Sequence, residues 1–313
     1  MATMKAVRIH AYGGPEVLAY EDVPRPIAGE GEVLIRVHAT TVNPFDCAVR
    51  AGYMSSYLKH TLPLILGTDV SGVVEAIGTG VTGFSKGDEV YARAGVFRDG
   101  ANAGYVVVSA SDVAVKPKSL DHLHAAALPH VTLTAWQALI EMAQLREGQT
   151  VLIHGAAGGV GHIAVQLAHW RGARVIGTAS ANLDLLRELH VEEAIDYTKT
   201  RFESVVHGVD VVLDTVGGDV QQRSYAVLKA GGWLLSTIQP PSEETAKANG
   251  VRAQLVASTP PIGATLAKVA EIVASGQIRP VVSNVLPLSE IRKAHEMIEG
   301  KHTRGKIVLK VAA

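Results

Sequence analysis

One cysteine, Cys47, stands among 313 residues, so neither an internal disulfide nor a cysteine-cluster zinc site is available to this chain. As a lone thiol it reads as a small buried hydrophobe. Charge of one sign is equally scarce: 29 Lys and Arg against 30 Asp and Glu leave a net charge of −1, which argues against nucleic acid or an anionic membrane as a partner. No apolar run reaches bilayer-spanning length, and Met1-Ala2-Thr3-Met4-Lys5 opens a polar-flanked strand with no apolar signal core behind it. The expected location is therefore the cytosol. Internal repeats and low-complexity tracts are absent as well.

What is present suits two domains, with 47% hydrophobic residues to bury. Up to about residue 120 the pattern is short strands and turns. Lys5 to His10 forms one strand, and Val33, Ile35 and Val37 alternate with Glu32, Arg36 and His38 in another, punctuated by Gly13-Gly14-Pro15, Pro24, Pro26, Gly29 and Gly31. Beyond that point helix and strand alternate, which predicts a parallel sheet covered on both faces. Thr150 to Ile153, Arg174 to Thr178, Val209 to Leu213 and Trp233 to Thr237 are its strands, with Gly231-Gly232 as a turn before the last. The C-terminal stretch breaks the rhythm: a helix over about Ile262 to Ala274, a second capped by Ser289, and a closing strand Lys306 to Val311 that is expected to return to the first domain. The expected division is 1–122, 123–262 and 263–313.

The most telling run is His154-Gly155-Ala156-Ala157-Gly158-Gly159-Val160-Gly161. The apolar strand Val151-Leu152-Ile153 precedes it. Behind it Val160, Ile163, Ala164, Leu167 and Ala168 recur at helical spacing up to Gly172, and Arg174 to Thr178 supplies the next strand. This is a complete βαβ unit whose glycine turn lets backbone approach a dinucleotide pyrophosphate at the positive end of a helix. Ala156 takes the place of the first glycine of a G-x-G-x-x-G fingerprint, with Gly158 and Gly161 in the second and third. Gly155, Ala157, Gly158, Gly159, Val160 and Gly161 are thus the candidate pyrophosphate contacts. Val216, Gly217 and Ser236 lie at later strand ends, where open parallel sheets bind ligands. The second strand ends in Thr178-Ala179-Ser180-Ala181-Asn182, with no carboxylate to repel a 2′-phosphate before Asp184. Ser180 is a donor there, and the expected cofactor is NADP(H).

Across nearly the whole chain, and in order, these and other segments resemble the medium-chain dehydrogenase/reductase superfamily. Gly67-x-Asp69-x-x-Gly72-x-Val74, Gly78, Val81, Phe84 and Gly87-Asp88-x-Val90 are similar to its core signature. Val42-Asn43-Pro44-x-Asp46, Ala156 to Gly161, Asp214-x-Val216-Gly217-Gly218 and Gly305 to Leu309 resemble its zinc-free quinone oxidoreductase branch. The resemblance implies a GroES-like, mostly β catalytic domain with an inserted Rossmann domain, a doubly wound parallel sheet, and a homodimer. Zinc-using members place a cysteine near Asn43 and a histidine-glutamate pair near Thr68-Asp69, and neither is here. His122-x-His124 and His154 read as packed or solvated histidines, so no metal is expected.

The resemblance also implies individual roles. Asn43 would hydrogen-bond the nicotinamide ribose or a substrate oxygen, although Asn-Pro also initiates turns. Asp46 serves either the site or a local helix cap. Tyr53, with Tyr57 as competitor, would donate to the oxygen on which charge grows. Thr134, with Thr132, runs past the nicotinamide, while helix capping accounts for one of the two. Tyr197 would lie near the adenosine phosphate, and Lys306 would face the cofactor. Without a Lewis acid the acceptor must already be electrophilic, so the expected activity is NADPH-dependent reduction of quinones or activated alkenes by direct hydride transfer. A dinucleotide-binding sensor without turnover is the alternative, and a zinc alcohol dehydrogenase the disfavoured one.

Overall fold

The computed structural model describes residues 2–257 and 260–311. The chain divides into a first unit, Met1–His130 with Thr259–Gly276 and Pro280–Ala313, and a second, Val131–Ser258 with Gln277–Arg279. The first forms β1 (Thr3–Ile9), β2 (Leu18–Pro24), β3 (Glu32–Thr41), β4 (Leu64–Ile65), β5 (Asp69–Ile77), β6 (Glu89–Arg93), β7 (Tyr105–Ser109) and β8 (Val113–Val115). The second forms β9 (Thr150–Ile153), β10 (Arg174–Ala179), β11 (Glu193–Asp196), β12 (Val209–Asp214), β13 (Leu228–Ser236) and β14 (Arg252–Leu255). Strands β15 (Val282–Pro287) and β16 (Lys306–Lys310) then belong to the first unit again.

In the first unit β2-β1-β4 make a small sheet and β15-β16-β3-β5-β6-β8, with β7 on β3, a larger mixed one. Alternation along β3 buries Val33, Ile35 and Val37 against Val70, Val74, Val90, Val106 and Val108, as the two-residue period of a strand requires. Gly72 and Gly78 mark close backbone crossings: a Cβ there would lie 2.1 Å from Arg36 O and 1.6 Å from Gly29 O. The closing strand β16 pairs antiparallel with Ala39, Thr40 and Thr41 of β3, which lead straight into Asn43. The change of rhythm near residue 120 precedes the division at His130 because the helix His122–Ala126 packs on β3, β5 and β16.

The second unit is one parallel sheet in the order β11-β10-β9-β12-β13-β14. Numbered within the unit this is 3-2-1-4-5-6, the doubly wound Rossmann arrangement, whose order reverses between its first and fourth strands. Val151, Leu152, Ile153, Val211, Val212 and Leu213 are buried, as central parallel strands covered on both faces must be.

Three local expectations change. Gly231-Gly232 is not a turn but lies inside β13, where the pairing with β12 slips between Val209 and Val211 and Gly231 takes φ +75°. The edge strands β11 and β14 lack an apolar run because edges meet solvent, and they carry Glu193 and Arg252 instead. Ser289 does not cap the last helix: a short 3-10 turn, Leu288–Glu290, leads into Ile291–Glu299, and Ile291 N bonds Leu288 O.

Candidate active site

In the second unit the turn after β9 is built by steric necessity. Gly155 takes φ +63°, a left-handed conformation that favours glycine. A Cβ on it would sit 2.6 Å from Thr215 Oγ1, so the turns after β9 and β12 abut. Gly158 is the N-cap of the helix Gly159–Trp170 and offers no side chain to its first N–H groups, which leaves them for an anion. A Cβ on Gly161 would come 2.2 Å from Gly155 O and 2.7 Å from Ala156 Cα. Helix and turn touch backbone to backbone there, and Gly158, Gly159 and Val160 remain half-buried at the rim. The residues present fit a dinucleotide pyrophosphate.

Two further stretches border this end of the sheet. At the carboxyl end of β10, Tyr197 OH donates to Ser180 Oγ at 3.0 Å, and Tyr197 is 52% exposed. After β12, the buried Asp214 accepts from Val216 N at 2.9 Å and Gly217 N at 2.8 Å, and from Ser236 Oγ at 2.9 Å. The Ser236 hydroxyl therefore shapes the Val216-Gly217 turn rather than meeting a ligand itself, being fully buried.

The first unit holds a buried polar network around Asp69, which is wholly inaccessible. Asp69 Oδ2 accepts from Thr41 Oγ1, from Asn43 Nδ2 at 2.9 Å and from Lys306 Nζ at 3.2 Å, while Oδ1 accepts from His130 N at 2.7 Å. Burial opposes ionisation of Asp69, yet the Lys306 charge and these donors hold its carboxyl below the ordinary value. Lys306, 3% exposed, also donates to Asn43 Oδ1. An ammonium only donates and a carboxylate only accepts, so the Asn43 amide is locked in one orientation. Asn43 Nδ2 also reaches Thr68 Oγ1 at 3.2 Å, and Thr68 Oγ1 lies 3.4 Å from His130 Nδ1.

Asp46 takes the local role that the sequence left open. As third residue of the helix Pro44–Arg50 it accepts Asn43 N at 2.7 Å, and it accepts Gly67 N at 3.2 Å. Burial, with the Asp69 charge adding to it, pushes its carboxyl up to about 7.

Other expected residues fall elsewhere. Tyr53 is 79% and Tyr57 77% exposed, so neither phenol joins the network; the short segment after Arg50 turns outward. Thr132 and Thr134 both lie inside the helix Pro129–Trp136, past its N-terminus, so capping explains neither. Thr132 is buried and Thr134 half-buried. Lys306 points into the Asn43–Asp69 network, because pairing of β16 with β3 carries it there. Cys47 is buried, its Sγ 3.3 Å from His295 Nδ1, and burial pushes the thiol up to about 12. His154 bonds Thr178 and Ser224, and His122 bonds Ser71; among the described residues no group of three or more His, Cys, Asp or Glu is arranged to hold a metal. Reasoning from sequence missed Thr41 and His130 as site residues. The available signal was an acid, Asp69, at the head of a strand whose following residues Val70, Val73 and Val74 are apolar.

Comparison with known proteins agrees with this architecture. Residues 29–118 match the alcohol dehydrogenase GroES-like domain, and residues 189–309 match the zinc-binding dehydrogenase family. The chain is 35% identical to the mitochondrial NAD(P)H oxidoreductase RTN4IP1 of Mus musculus, covering 98% of this chain and 89% of that protein. It is 32% identical to the quinone oxidoreductase of Homo sapiens, over 98% and 97% of the two chains. The quinone oxidoreductase structure from Coxiella burnetii superposes with TM-score 0.93 at 37% identity, over 99% and 100%. The expected cytosolic location does not stand, since the RTN4IP1 relatives are mitochondrial proteins. No described helix is long and apolar enough to cross a membrane. A Rossmann unit with a glycine pyrophosphate turn, a GroES-like unit and these full-length likenesses place the chain in the medium-chain dehydrogenase/reductase superfamily, as a quinone oxidoreductase-like member with an NAD(P)H-type fold.

Proposed function

We propose that the protein reduces quinones or activated alkenes with NADPH by direct hydride transfer, without zinc. The observation that carries this reading is the content of the Asn43–Asp69 network. Where zinc-using members of the superfamily put thiolate and imidazole ligands, this chain has an amide, a hydroxyl and a carboxylate neutralised by Lys306. Such a set has no soft ligand for zinc, so the acceptor has to bring its own electrophilicity. Bound NADPH supplies the hydride, while the protein contributes position and hydrogen bonds.

Support for NADPH over NADH comes from the end of β10, where Ser180 and Tyr197 stand together and no Asp or Glu ends the strand. Purified protein is expected to oxidise NADPH, followed at 340 nm (the nicotinamide band), when 1,4-quinones or enones are added. Unchanged absorbance across such a panel refutes the activity, and a higher kcat/KM with NADH refutes the cofactor preference. Tight NADPH binding without reduction of any acceptor favours a non-catalytic dinucleotide sensor. A homodimer belongs to the same reading, and light scattering at twice the chain mass checks it.

A further inference from the structure

His154 joins β9 to the glycine turn and is 1% exposed. Its backbone is fastened to β12 and the turn after it: His154 N donates to Leu213 O at 3.0 Å, and its carbonyl accepts from Thr215 Oγ1 at 2.7 Å. Burial pushes the imidazole down to about 4, so it is neutral at physiological pH. Its two nitrogens bridge two other elements, with Nδ1 3.1 Å from Thr178 Oγ1 on β10 and Nε2 3.0 Å from Ser224 Oγ at the end of the helix Gly218–Ser224. The direction of each bond follows from Ser224. Its Oγ stands 2.7 Å from Val220 O, and a carbonyl only accepts, so the hydroxyl proton is committed there and Ser224 accepts from His154 Nε2–H. Nδ1 of the neutral ring is then an acceptor, and Thr178 donates to it. Thr178 in turn accepts Gly155 N, through Oγ1 at 3.4 Å, and Ala156 N, through its carbonyl at 3.0 Å. The buried Phe202 ring meets the imidazole edge-on at 4.5 Å.

We propose that His154 is a positioning residue for the dinucleotide: its imidazole ties the glycine turn, the end of β10 and the helix Gly218–Ser224 together in the arrangement that receives the pyrophosphate. One directed chain runs from Gly155 N–H through Thr178, His154 and Ser224 to Val220 O, so the first N–H groups of the turn are fixed from a core that the ligand never touches. A turn already in place leaves less to be ordered when the nucleotide arrives, and affinity rises accordingly. Thr178 stands two residues before Ser180, and Ser224 closes the helix that follows the Val216-Gly217 turn. A single ring thereby links the three stretches that border the carboxyl end of the sheet. The inference rests on the dinucleotide-binding fold and holds whether or not the bound nucleotide reduces an acceptor.

The test is titration calorimetry of the whole protein with NADPH and with ADP-ribose, which carries the pyrophosphate but no nicotinamide. His154→Leu is expected to bind both about tenfold more weakly, and Thr178→Val likewise. The double variant should bind no more weakly than either single one, because both cut the same chain. His154→Asn, whose Oδ1 can accept from Thr178, should regain part of the loss. Wild-type affinity in His154→Leu with only a lower melting temperature confines the residue to stability and overturns the role. So do losses that multiply in the double variant, a loss seen with NADPH but not with ADP-ribose, or no recovery in His154→Asn. Should His154→Leu fail to fold, ¹⁵N NMR of the wild-type histidines decides: a proton on Nε2 of His154 at pH 7 supports the chain, and one on Nδ1 overturns it. Wild type that binds neither probe overturns the role together with the pyrophosphate assignment. Binding that depends on His154, with no quinone or enone turned over, refutes the reductase reading and leaves the role standing.

Discussion

Replacing Gly161 or Gly158 by alanine separates the packing role of the glycine turn from its ligand role. At Gly161 the new methyl carbon would stand 2.2 Å from Gly155 O, more than 1 Å short of the 3.4 Å at which ordinary contact begins, and both neighbours are backbone. Helix Gly159–Trp170 and the turn after β9 must therefore move apart. Overpacking of this kind costs about 2 kcal/mol, a fall in melting temperature of roughly 4–8 °C for a domain of this size. The cradle shifts with it, and a misplacement of about 1 Å is expected to weaken NADPH binding about 10- to 100-fold, or roughly 1.4–2.8 kcal/mol. At Gly158 the same methyl carbon would meet only Gly155 O, at 3.2 Å, and its φ of −79° suits alanine. Gly158→Ala should thus melt within about 1 kcal/mol of wild type yet lose NADPH affinity, because its methyl occupies the space that the pyrophosphate needs. Differential scanning calorimetry and NADPH titration calorimetry read the two effects separately. Wild-type melting and binding in Gly161→Ala would refute the backbone-contact argument, and wild-type binding in Gly158→Ala would refute the pyrophosphate assignment.

Three further outcomes are expected. Lys306→Met leaves Asp69 buried without its cation and should cost about 3–5 kcal/mol in urea unfolding, whereas adding Asp69→Asn should recover part of that loss; equal stability of Lys306→Met and wild type would show that the pair contributes nothing. Asp46 has a folded pKa of about 7 against an ordinary 3.8, so the stability it contributes is complete below the ordinary value and drains away as pH rises through about 7. Between pH 4 and 7 wild type should lose up to about 4 kcal/mol relative to Asp46→Asn, and parallel stability profiles of the two proteins would contradict this. Tyr53→Phe should leave kcat within about twofold of wild type, since its phenol lies outside the network; a hundredfold fall would restore the tyrosine as the donor.

Much of the second unit was legible because its signals are local. Strand β9, the glycine turn, the helix Gly159–Trp170 and β10 follow one another within residues 150–179, and period, glycine placement and apolar runs report such neighbours directly. The edge strands β11 and β14 were not legible, since solvent-facing strands carry charge and lose the apolar signature. Gly231-Gly232 misled for a related reason: a glycine pair marks a turn and a bulge with equal strength.

The sequence by itself determined the family, the Rossmann unit, the dinucleotide turn and the absence of zinc-type ligands at Asn43 and Thr68-Asp69, because each is written in residues close together or in motifs whose order is distinctive. Only the tertiary structure decided what Lys306 meets. Lys306 meets Asn43 across 263 positions and Asp69 across 237, through the pairing of the last strand with the third. A lysine at a strand end has the same sequence signature whether it faces water or a buried carboxylate. Its partner, and with it the polar network around Asp69, exists only once the chain has closed that sheet.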